Sequence, residues 1–152
     1  MMRSMLFACL LVAFFGCDST FDASRLDNNL ENTEWHFERA EAADGEVSHD
    51  SNADRRASIT FGERSPNSTT YEVNGYNGCN AFSGRYSVDG DELQFIQIIQ
   101  TERACMEVEA RIEEVFNRGI LGARSFSISN DELVIDAPAQ SVKLRLVRVT
   151  GG

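Results

Sequence analysis

Positive charge is scarce in this chain, and histidine is scarcer still. Lysine and arginine together number 14 against 24 aspartates and glutamates, a net charge of −10, and the only histidines are His36 and His49. A nucleic-acid backbone is bound by cations that displace its counterions, so this balance argues against such a partner. It argues equally against an electrostatic grip on anionic lipid headgroups. Neither histidine stands at metal-ligand spacing from a cysteine, so no metal centre is expected. Long hydrophobic runs are missing too. The amino-terminal run Met5–Phe15 is too short for a hydrocarbon core of about 30 Å. There is no Cys-x-x-Cys, Gly-x-Ser-x-Gly, phosphate loop or dinucleotide fingerprint, so the motifs of dithiol exchange, serine hydrolysis and nucleotide binding are absent.

Arg3 followed by Met5–Phe15 has the form of a secretory signal. The run ends in Phe14-Phe15-Gly16-Cys17, which resembles the lipobox of bacterial lipoproteins, with Phe14 where leucine is usual. That resemblance implies cleavage after Gly16 and attachment of palmitate-type acyl chains at Cys17. Two or three chains would anchor stably, whereas one holds only marginally. The alternative is an ordinary cleaved signal with Cys17 close by. Residues 1–16 are therefore read as signal peptide, and 17–31, polar apart from Phe21, Leu26 and Leu30, as a flexible linker. Residues 32–150 form one folded domain.

Within the domain, Trp35-His36-Phe37 starts a strand. Ala40–Ser58, rich in Ala, Asp, Glu and Ser, reads as a long surface loop containing the turn pair Asp44-Gly45. Ser58–Gly62 and Thr70–Val73 alternate as strands, and Asn67-Ser68-Thr69 is a glycosylation sequon of no expected consequence in a bacterial protein. Arg85–Val88 and Glu92–Phe95 flank Asp89-Gly90-Asp91, a strong hairpin signal. Ser125–Ile128 and Asp131–Ile135 repeat the design around Ser129-Asn130, and Ser141–Val149 makes a final amphipathic strand. Between the hairpins, Val108, Ile112, Val115, Phe116 and Ile120 form one apolar helical stripe. Glu107 with Arg111 and Glu114 with Arg118 stand at i,i+4, and Gly119 is expected at the helix's C-terminal end.

Candidate chemistry centres on the cysteines. With Cys17 acylated, Cys79 and Cys105 remain as an even pair, and an oxidising compartment would join them in a disulfide. Two separate thiols, or one acting as a nucleophile, are the alternatives. The acidic turn Asp89–Glu92 lacks the ligand alternation of a calcium loop and reads as a solvated hairpin. His36 reads as a strand residue.

The stretch Gly75-x-x-Gly78-Cys79-Asn80-x-Phe82-x-Gly84-x-Tyr86 carries a family resemblance. Asn32-Thr33-x-Trp35, Gly90-x-x-Leu93-x-Phe95, Thr101-x-x-Ala104-Cys105 and Glu113-x-x-Phe116-x-x-x-Ile120 support it. Together they resemble the META domain, the HslJ-like family of small bacterial envelope proteins. Arg103 stands where the family often has methionine, and the Ala40–Ser58 segment looks longer than usual. The resemblance implies an α+β fold: a strongly curved antiparallel sheet, open-barrel-like, with one main helix packed against it. It supplies no catalytic or cofactor-binding residues. The expected function is that of a non-enzymatic, monomeric, lipid-anchored envelope protein, acting in stress tolerance or envelope maintenance by binding a protein or an envelope component. A lipid-binding or pilotin-like chaperone is one alternative, and a thiol-dependent enzyme using Cys105 or Cys79 is another.

Overall fold

The computed structural model of the chain describes residues 30–50 and 55–150. The signal segment, Cys17 and all but the end of the linker lie outside the described residues. The described chain forms nine strands and one long helix: β1 Thr33–Ala42, β2 Gly45–Ser48, β3 Ser58–Arg64, β4 Tyr71–Tyr76, β5 Ala81–Asp89, β6 Glu92–Gln100, α1 Glu107–Leu121, β7 Ser125–Ser129, β8 Glu132–Ala137 and β9 Val142–Arg148.

All strand pairings are antiparallel, in the order β2-β1-β3-β4-β5-β6-β7-β8-β9, with β9 returning to β1. β1 makes this possible by serving three partners. One edge runs along β9 from Trp35 to Ala42, with a bulge between Phe37 and Arg39. The other edge carries β3 over Thr33–His36 and then β2 over Arg39–Ala42. A bulge bends a strand and re-aims its edge. The ring is held by very little at β6 and β7, where Glu92↔Ser125 is the one paired position. Two further bonds flank it, Leu93 N–H to Arg124 O at 3.1 Å and Phe126 N–H to Asp91 O at 2.9 Å. The sheet is thus strongly curved and ring-like without being a true barrel, and the fold is α+β, as the sequence indicated.

Both hairpins form with two-residue loops, Gly90-Asp91 and Asn130-Asp131. Gly90 and Asn130, the first loop residues, take the positive φ of +62° and +55° that such reversals demand.

Three local expectations change. The Ala40–Ser58 segment is not loop from end to end, since its first part is strand. Ala40–Ala42 continue β1, and Gly45, at φ +123°, lets the chain double back as β2 in register Arg39↔Ser48 to Ala42↔Gly45. One buried residue, Val47, is too little periodicity to reveal so short a strand. Val108, in the first turn of α1, is not part of the helix's buried stripe and is exposed. Gly119 does not end the helix either. It is buried inside α1, which runs to Leu121 and is capped by Gly122, whose N–H donates to Arg118 O at 3.0 Å.

The reason for Gly119 is space. A Cβ there would lie 2.4 Å from both Cγ and Cδ1 of Leu144 on β9. Alanine in a helix interior is favoured over glycine by up to about 1 kcal/mol. Gly119→Ala is nevertheless expected to lower stability by about 1–3 kcal/mol, since the core must yield to an added methyl. Urea unfolding checks this, and a more stable variant would mean that the helix has room above Leu144.

Candidate functional site

The corner between β4 and β5 occupies Asn77–Asn80. Gly78 turns there at φ +105°, and a Cβ on it would meet Ile112 Cγ2 at 2.7 Å. Asn77 is fully buried and substitutes for backbone partners that the turn leaves unmade. Its Oδ1 accepts the N–H groups of Cys79 and Asn80 at 3.1 and 2.7 Å. Its Nδ2 divides its hydrogens among Asn117 Oδ1 at 3.0 Å and the side-chain oxygens of Glu113 and Gln100 at 3.3 Å.

Asn80, also buried, ties the corner to the segment that leads from β6 to α1. Its Oδ1 accepts from Thr101 Oγ1 at 3.0 Å and Arg103 N–H at 2.9 Å, while its Nδ2 donates to Glu113 Oε1 at 2.9 Å. Cys79 and Cys105 are joined in a disulfide, with Cα atoms 5.8 Å apart. Cys79 is buried, Cys105 is partly exposed, and Glu113 Oε2 lies 3.3 Å from Cys105 Sγ. A buried polar network of this kind specifies one geometry when its members are satisfied. The sequence located the two cysteines; the roles of Asn77 and Glu113 were not legible, because their partners come from segments far along the chain.

Arg103, the departure from the usual methionine, donates from its side chain to Tyr76 Oη at 3.3 Å. Arg55 stacks over the same ring at 4.3 Å. The Arg103 contact that binds the corner is made by its backbone N–H, and methionine would supply the same donor.

Beside this corner lies a groove of about 280 Å³. Phe37, Ala57 and Ile112 give it apolar walls, and His49, Arg55 and Glu109 supply polar groups. Met106 and Val108, on the amino-terminal end of α1, border it at 78 % and 55 % exposure. Burial holds the His49 imidazole below its ordinary pKa, with Arg56 acting in the same direction and Glu38 and Asp50 opposing, so His49 is neutral at neutral pH. His36 sits on β1 as a half-exposed strand residue, 3.7 Å from Glu34. The Asp89–Glu92 stretch is a hairpin turn. No local pattern in the sequence hinted at the groove, since its walls come from β1, the β2–β3 connection and α1.

The META domain profile matches residues 28–149. The chain belongs to the META domain family. Among solved structures, the META chain is similar to a protein from Burkholderia xenovorans determined by NMR, at 17 % identity and a TM-score of 0.68, covering 99 % of this chain and 100 % of that one. A second NMR structure matches at 17 % identity and a TM-score of 0.57, covering 79 % of this chain and 92 % of the other. At these identities the likeness is one of fold. No curated protein matches the chain. In this META domain the Gly75–Tyr86 motif contains the corner just described, and the first part of the Ala40–Ser58 segment belongs to the β1–β2 hairpin.

Proposed function

We propose that this protein is a non-enzymatic META-domain lipoprotein, tethered through acylated Cys17 to an envelope membrane, and that its domain binds a protein or envelope component at the groove beside α1. The observation that carries this reading is the exposure of Met106 and Val108 along an apolar-walled groove. Large exposed side chains gathered at a concave, partly apolar surface are characteristic of binding sites. The asparagine–cysteine corner, by contrast, directs its polar groups inward, to one another and to α1. Both of its sulfurs are joined in the bridge, which supports a binding role over thiol catalysis.

A photo-reactive residue at Val108, installed in the chain expressed in its native envelope, tests the groove. The expected result is a discrete adduct of one protein or one lipid species, absent when the same residue replaces Glu72 on β4. Equal or no labelling at the two positions would end the reading. Mass spectrometry of the mature amino terminus tests the tether, which requires an acylated chain beginning at Cys17.

A further inference from the structure

The carboxylate of Glu113 is held unevenly. Its Oε1 accepts from the amides of Asn80 and Asn77, at 2.9 and 3.3 Å. Among the described residues, its Oε2 faces only sulfur, Cys105 Sγ at 3.3 Å. In the oxidised protein that sulfur carries no hydrogen, so a carboxylate oxygen points at an atom with nothing to donate. The donor atoms of Cys79, Cys105 and Glu113 all lie within 4.8 Å of one another.

We propose that, once the disulfide is reduced, Cys79, Cys105 and Glu113 form a three-ligand site for a thiophilic divalent cation of the zinc type. In a tetrahedral zinc centre, with Zn–S of about 2.3 Å and Zn–O of about 2.1 Å, a sulfur and an oxygen ligand stand roughly 3.5 Å apart. The 3.3 Å between Cys105 Sγ and Glu113 Oε2 is close to that value already. Opening the bridge lets the two sulfurs separate to ligand spacing, and the cation restores the link between corner and helix. Asn80 and Asn77 act as outer partners that orient the carboxylate with Oε2 toward the metal. Cys105 is partly exposed, which leaves a fourth position for water. Two thiolates select a soft or borderline cation over magnesium or calcium.

The chemistry balances in two steps. A dithiol reductant transfers two electrons and two protons to the bridge, is itself oxidised to a disulfide, and leaves two thiols. The cation then displaces two thiol protons to solvent as two metal–sulfur bonds form, and the Glu113 carboxylate adds the third bond.

The full-length chain carrying Cys9→Ser and Cys17→Ser, which leaves only Cys79 and Cys105, is reduced with a dithiol, desalted under nitrogen and titrated with Co²⁺. The expected result is one ion per chain, with thiolate charge-transfer absorption in the near ultraviolet and tetrahedral bands in the visible, displaced by Zn²⁺. The unreduced chain should show neither, and the further change Cys105→Ser should abolish both. Glu113→Gln, nearly isosteric and still able to accept from Asn80, should weaken binding by roughly tenfold or more. Absence of a tetrahedral spectrum at one equivalent, or equal affinity in Glu113→Gln, overturns the proposal. Circular dichroism covers loss of fold on reduction. If the reduced chain unfolds, Zn²⁺ must restore the native spectrum, and a chain that stays unfolded with Zn²⁺ overturns it as well.

Discussion

Phe116→Ala is expected to lower the free energy of unfolding by about 3–5 kcal/mol, a large part of the roughly 5–15 kcal/mol that holds a domain of this size. Phe116 is fully buried on the face of α1 that enters the curved sheet. Its ring meets Phe37 of β1 edge-on, with centroids 5.9 Å apart at 72°, and stands 6.0 Å from Phe82 of β5. β1 and β5 are not neighbours in the sheet, so one side chain bridges distant parts of the ring. Alanine would leave a cavity that the strands cannot collapse to fill, because their spacing is set by backbone hydrogen bonds. Val108→Ala, on the exposed side of the same helix, should change stability by no more than about 0.5 kcal/mol. Urea unfolding of the two variants checks the contrast, and similar midpoints would mean that α1 does not seal the sheet through Phe116.

Removing the bridge should have an effect almost as large. The double variant Cys79→Ala/Cys105→Ala is expected to lose roughly 3–4 kcal/mol, the chain-entropy value for a closed segment of this length. That segment, with a sequence separation of 26, contains all of β5 and β6. On its β6 side it meets β7 at only one paired position, Glu92↔Ser125. The disulfide therefore fixes the base of a hairpin that the sheet itself secures weakly on one side. Wild-type protein unfolded in the presence of a dithiol and without metal should fall within about 1 kcal/mol of the double variant, as the unfolded state is released from the same constraint. A loss below about 1 kcal/mol would show that the Asn80 and Glu113 hydrogen bonds alone hold the corner.

The elements that were legible in the sequence are those whose cause is local. Turn pairs with a residue suited to positive φ announced both hairpins, and the 3.6-residue recurrence of Ile112, Val115, Phe116 and Ile120 announced the helix. Two cysteines in a chain with an export-like start announced the bridge. Strand β2 was hidden because it buries a single side chain, Val47, and exists only because β1 has an edge free beyond its pairing with β3. Gly119 read as a stop because glycine often follows a helix, and only the position of Leu144 shows that it is there for close approach.

The Gly75–Tyr86 stretch draws the same line. By itself the sequence determined that the chain must bend there, since glycines and asparagines at that spacing favour no continuous strand. Tertiary structure alone decided what the bend does: Asn77 and Asn80 face inward to Glu113, and the ring is joined between β6 and β7 by a single paired position. It also decided that Met106 and Val108 are left facing a groove. These outcomes depend on which distant backbone edges and side chains meet, and no local periodicity encodes that meeting.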